Sequence, residues 1–92
     1  MVQKWKTNLR DRVLERDRQL CICGRYADVV HHIVHRGKAT EDLIWREENM
    51  ICLCNDCHDK ANATEAKRGH LEYLRERYGY EYTERPWKGL LA

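Results

Sequence analysis

The chain has 92 residues, with 17 Lys/Arg against 15 Asp/Glu, five cysteines, five histidines and no phenylalanine. That is one domain, residues 1–92, and a core this modest often needs a staple such as a structural metal. No apolar run reaches the length of a membrane span or a signal segment, which argues against a membrane role and for a reducing cytoplasm, where clustered cysteines bind metal more often than they pair.

Residues 8–18 read as a helix, with Asn8 as its cap and Leu9, Val13 and Leu14 as its apolar stripe. That stripe leaves Arg10, Arg12, Arg16 and Arg18 outward. Cys21 to Gly24 reads as a tight, metal-bound turn. Val29 to Val34 is β-branched and apolar around two histidines, as a strand requires. Residues 35–48 are polar, contain Gly37 and read as a loop. Met50 to Leu53 reads as a second strand. Asn55 or Asp56 can cap a helix from Cys57 that carries His58 and Asn62 on one face. Gly69 is a candidate break. Leu71, Leu74 and Tyr78 mark a further helix stopping near Gly79. Tyr80, Tyr82 and Trp87 are expected to dock the tail on the core. The fold class is small α+β.

Charge is uneven along the chain. Residues 1–38 carry nine Lys/Arg against four Asp/Glu, and residues 39–92 carry eight against eleven. The basic half suits either a phosphate-facing surface or a solvated helix face.

The cysteines make two pairs and a remainder. Cys54-x-x-Cys57 is a zinc half-site by spacing, and Cys21-x-Cys23 can supply the other two thiolates. Four thiolates complete a tetrahedron, so Cys52 reads as a small buried hydrophobe. The histidines left over suit a second, reactive centre.

The order His31-His32, Asn49, then Cys54-Asn55-Asp56-Cys57-His58 resembles the HNH endonuclease motif of the ββα-metal nucleases. The zinc-bearing branch found in bacteriophages and mobile elements is similar to this chain from about Leu9 to Asn62. The resemblance implies a ββα-metal core stapled by a four-cysteine zinc site, with flanking helices. It implies His32 as general base, and His31 and His58 as ligands of a catalytic Mg²⁺ or Mn²⁺. His31 stands where many relatives have Asp. A regular strand sends adjacent side chains to opposite faces, so this reading requires a bend or bulge at residues 31–32. Asn49 would brace the 35–48 loop and His32, and Asn62 is a candidate extra ligand. Arg36 and Lys38 are candidate phosphate contacts, and His35 a loop residue. His70 reads as a surface residue, and Trp5, Trp45 and Trp87 as core or lid residues.

The activity implied is metal-dependent hydrolysis of DNA phosphodiesters, by nicking or double-strand cleavage. The implied setting is the cytoplasm of a bacterial host, with DNA and phage packaging (terminase) proteins as partners. Two alternatives carry less of the pattern. A non-catalytic zinc-stabilised module binding DNA or protein explains the cysteines and the basic half. A redox or zinc-storage protein explains only the odd fifth cysteine.

Overall fold

The computed structural model describes residues 4–35 and 37–91. Its elements run α1 (Lys4–Arg16), β1 (Val29–His32), α2 (Glu41–Ile44), a 3₁₀ turn (Glu47–Asn49), β2 (Met50–Leu53), α3 (Asn55–Asp59), α4 (Thr64–Tyr78) and α5 (Trp87–Leu91). The strands form a two-stranded antiparallel sheet, with Val29 opposite Leu53 and His32 opposite Met50. Two strands alone are marginal in water, and here helices cover them. β2 is buried along its whole length. Leu9 and Val13 of α1 and Leu71 and Leu74 of α4 share its core with Ile33, Leu43 and Trp87. The result is a small α+β domain, and no described helix is long and apolar enough to cross a membrane.

Several expected elements shift, each for a physical reason. α1 already runs from Lys4, so Asn8 is interior and not a cap. Gly69 does not break α4. A mid-helix glycine costs only about 1 kcal/mol against alanine, and the burial of His70, Leu71 and Leu74 along this helix outweighs it. Gly79, at φ 76°, does end the helix in the left-handed conformation, with its N–H on the Arg75 carbonyl. The 35–48 stretch is not a plain loop. Thr40 accepts from the Leu43 N–H at 3.3 Å and caps α2, whose first turn holds Glu41 and Asp42. α3 stops at Asp59, because the N–H groups of Lys60 and Ala61 turn back to the Cys57 and His58 carbonyls. Asn62 therefore lies beyond the helix rather than one turn along it.

Arg16 is the largest departure on α1. It turns inward instead of outward, with its side chain 12% exposed. Its guanidinium donates to the carbonyls of Glu47 (2.7 Å) and Met50 (2.6 Å), and to both carboxylate oxygens of Asp17 (2.9 and 3.0 Å). Asp17 also accepts from the Tyr78 hydroxyl at 2.6 Å and the Cys52 N–H at 3.1 Å. The pair ties α1 to β2, the 3₁₀ turn and the end of α4.

Burial works to raise the Asp17 pKa, but the bonds from Arg16, Tyr78 and Cys52 outweigh it and hold the carboxyl below its usual value of 3.8. A depressed carboxylate stabilises the fold above its unfolded pKa, and that contribution disappears as pH falls through the folded value. Asp17→Asn is expected to cost on the order of 3 kcal/mol at neutral pH, because the Arg16 charge loses its partner. In urea unfolding, the gap to wild type should be widest above about pH 5 and narrow below it. Acid effects common to both proteins cancel in that difference. A gap independent of pH would show that the ion pair is not its source.

Candidate metal and histidine centre

Cys21, Cys23, Cys54 and Cys57 offer sulfurs that all lie within 4.8 Å of one another. They are the one group this tight among the described residues that could hold a metal ion such as zinc. The Cys23 and Cys54 sulfurs are 3.7 Å apart. A disulfide would bring them to about 2 Å. The edge of a thiolate tetrahedron around zinc, at about 2.3 Å per bond, is roughly 3.8 Å.

Local structure explains how a Cys-x-Cys pair reaches one point. The Cys21 N–H bonds the Arg25 carbonyl at 2.7 Å, and the Gly24 N–H bonds the Cys21 carbonyl at 2.8 Å. Gly24 sits at φ 92°, where a side chain would be strained. This tight turn lifts both sulfurs to one side. On the other half, Cys54 follows β2 and immediately precedes α3, so Cys57 sits in the first turn of that helix. Arg25 and Asp56 join the two halves on the surface with an ion pair at 2.7 Å.

The thiols differ sharply in acidity. A hydrogen bond from the Arg25 backbone, with the Cys21 thiol, lowers Cys23 to about 7, whereas burial and the neighbouring thiols push Cys57 up to about 12. Cys52 belongs elsewhere. Its sulfur is fully buried under α1, 3.6 Å from the Val13 carbonyl, and burial pushes its thiol up to about 12.

The histidines form a second group. His31 is 5% exposed and its ring lies edge-on to three others, His58 at 5.3 Å, His35 at 5.5 Å and His70 at 6.1 Å between centroids. Burial, then the neighbouring imidazoles, lowers His31 to about 3, so it is neutral at physiological pH and fit to be a ligand. His58 is exposed on α3. His70 is not the surface residue expected. It is also 5% exposed, on the inner face of α4, and burial lowers its pKa. Asn62 does not stand open to an ion, because its Oδ1 accepts from His35 Nε2 at 2.6 Å.

His32 faces elsewhere. The ladder stays regular through His31 and His32, opposite Ile51 and Met50. The expected bulge at residues 31–32 is absent, and the chain bends one residue later, at Ile33–Val34. The reason is local. Ile33 donates to the Asn49 carbonyl at 2.8 Å and Val34 to the Asn49 side chain at 3.0 Å, so the strand leaves the ladder only after His32.

The His32 ring packs edge-on against Trp45 at 4.6 Å. Its Nδ1 lies 3.1 Å from the Ile44 carbonyl. A carbonyl only accepts, so Nδ1 carries a proton, and in the neutral ring the lone pair is then on Nε2. Lys6 and Trp5 lie beside Trp45, the ammonium 4.5 Å from its ring and the indoles 5.7 Å apart. Trp5 is 51% exposed and so not a core residue, whereas Trp87 is buried.

No protein-family model, curated protein or solved structure matches the chain.

Asn49 ties the chain at Val34 and Ile44 to the start of β2. It is wholly buried, and its amide donates to the carbonyls of Val34 and Ile44, each at 3.1 Å. Its oxygen accepts from the Val34 N–H and from Trp87 Nε1, both at 3.0 Å. The Ile44 carbonyl thus takes donors from both Asn49 and His32. The indole of Trp87 was not foreseen as part of this unit; a lone tryptophan in a polar tail signals burial but not its partner. Each buried group left without its partner costs about 1–3 kcal/mol. Asn49→Ala is therefore expected to lose on the order of 3 kcal/mol or more in urea unfolding. A loss under about 1 kcal/mol would show that the brace is dispensable.

Lys38 is exposed and lines a shallow cleft with His35, Lys67, Pro86 and Leu90. Lys67 adds a cation that spacing alone did not single out. Arg36 lies outside the described residues.

Proposed function

We propose that this protein is a metal-dependent DNA endonuclease of the HNH type, with a zinc-held frame and a histidine centre on a ββα-metal core. The observation that carries the reading is the shared Ile44 carbonyl. It orients His32 through Nδ1 and is itself held by the buried Asn49. A base held in this tautomer, with its lone pair on Nε2, is what deprotonation of water needs.

The donor sets fit two ions of different character. Four clustered sulfurs suit zinc. His31 and His58 offer ring nitrogens on the other side of the sheet's end, and His31 Nε2 is buried without a partner. An ion held there supplies charge neutralisation on the phosphate and stabilisation of the leaving 3′ oxygen.

The chain's own residues do the rest. His32 Nε2 takes the proton as water attacks the phosphorus in line, and products with 5′-phosphate and 3′-hydroxyl ends follow. With a regular ladder, His31 and His32 act from the two faces of the strand's end and not from one pocket. The scissile phosphate then straddles that end. Lys38 and Lys67, in the cleft beside His35, are positioned to hold flanking phosphates. The test is conversion of supercoiled plasmid to nicked or linear form with Mg²⁺ or Mn²⁺, and with a chelator as control. No conversion with these or any other divalent ion overturns the reading.

The unbroken ladder at His31 and His32 favours one second reading, a non-catalytic zinc-stabilised module that binds DNA or protein. Tight DNA binding without cleavage under any divalent ion would support it.

A further inference from the structure

The function proposed above makes no use of His70. Among the described residues, two buried side-chain nitrogens or oxygens lack a hydrogen-bond partner, His31 Nε2 and His70 Nδ1. They belong to rings that lie edge to face, 6.1 Å between centroids. Each residue is 5% exposed. Nearly all buried polar atoms in proteins are paired, and an unpaired one costs about 1–3 kcal/mol. Two on neighbouring imidazoles are two nitrogens that one shared ligand would satisfy.

We propose that His31 Nε2 and His70 Nδ1 are ligands of one nitrogen-rich metal site, joined by His58, and that it takes a borderline transition ion such as zinc, cobalt or nickel in preference to magnesium. This rests on the nuclease reading only in sharing His31 and His58, and it adds α4 as an element that bears a ligand.

The spacing suits it. Nitrogens at about 2.0–2.1 Å from a tetrahedral ion hold their ring centroids roughly 5 Å apart, close to the 5.3 Å and 6.1 Å that separate His31 from His58 and His70. The set is looser than the thiolate cluster, and His58 can close it by turning its exposed side chain on the short α3. The donor chemistry sets the preference. Magnesium wants oxygen ligands, and imidazole suits zinc, copper, iron and nickel. His35 Nε2 donates to the amide oxygen of Asn62, which engages both side chains with each other, and the imidazoles of His31, His58 and His70 make up the proposed set.

The experiment uses the full chain carrying one zinc, titrated with Co²⁺ or Ni²⁺ and analysed for bound metal after dialysis. Wild type should bind a second ion whose absorption lacks thiolate charge-transfer bands, and excess Mg²⁺ should not displace it. His70→Leu fills the same space without the unpaired nitrogen. It should keep its fold and its zinc, and weaken the second ion by more than the roughly 10–100-fold that loss of an outer-shell partner costs. If wild type binds no second ion, or His70→Leu binds it as tightly, the proposal fails. Should His70→Leu not fold, imidazole ¹⁵N shifts of wild type decide. A His70 signal that moves on adding the ion supports the site, and one that stays overturns it. A second ion bound through His70 without any DNA cleavage sinks the nuclease reading and leaves this one standing. Cleavage with Mg²⁺ by a His70→Leu protein that keeps both ions does the reverse.

Discussion

Stripping the metal from the proposed thiolate site is expected to unfold the protein outright. The four sulfurs are gathered from the turn after α1 and from the junction of β2 with α3, so the ion joins the two halves of the core. Binding of structural zinc is worth about 10–16 kcal/mol in small zinc domains. A domain of this length has a total stability of about 5–15 kcal/mol, so losing the ion removes as much as the fold possesses. A strong chelator at neutral pH, or Cys57→Ser, should abolish the far-UV signal of the helices.

Thiol titration supplies an independent readout. The metal-loaded protein should react slowly, because four sulfurs are bound and Cys52 is sealed under α1. After chelation all five cysteines should react together. Retention of the native spectrum by a demonstrably metal-free protein would refute the staple.

The second large effect is on cleavage. His32→Ala should lower plasmid cleavage by about 10²–10⁴-fold, the range lost with a general base, and leave the fold and zinc content unchanged. The fold is spared for a specific reason. His32 is half-buried at the end of β1, and the Ile44 carbonyl that it engages keeps its second donor, Asn49. The Ile44 carbonyl is therefore not left without a donor. Equal cleavage by the variant would mean that His32 is not the base, whatever else the protein does.

Much of this arrangement was legible from residue order. The Leu9 and Val13 stripe, the second strand, the four-cysteine set and the stop at Gly79 depend on local spacing, and each stands where expected. So does the exclusion of Cys52 from the sulfur cluster. The first strand, by contrast, ends at His32 and not at Val34. Other features depend on contacts distant in sequence. Arg16 turns inward because carbonyls of Glu47 and Met50 await it, and nothing near Arg16 announces them. His70 is buried because α4 continues through Gly69, which local propensity argues against. α2 carries a readable signal in Thr40, Glu41 and Asp42 that the polarity of the stretch obscured. The bulge at residues 31–32 was inferred from a functional demand, and the backbone instead follows the bonds that Asn49 makes to Ile33 and Val34. A required geometry is a weaker guide than the hydrogen bonds that must be satisfied.

The bond from Trp87 to Asn49 has a consequence for the far end of the chain. Trp87 opens α5, and its indole N–H reaches the same amide that grips the Ile44 carbonyl, against which the His32 ring is aligned. The aim of an imidazole in the first half of the chain is therefore set by a helix in its last few residues. Loss of the Trp87 indole would thus reach the ring through two hydrogen-bonded groups, without touching the sheet on which the ring is mounted.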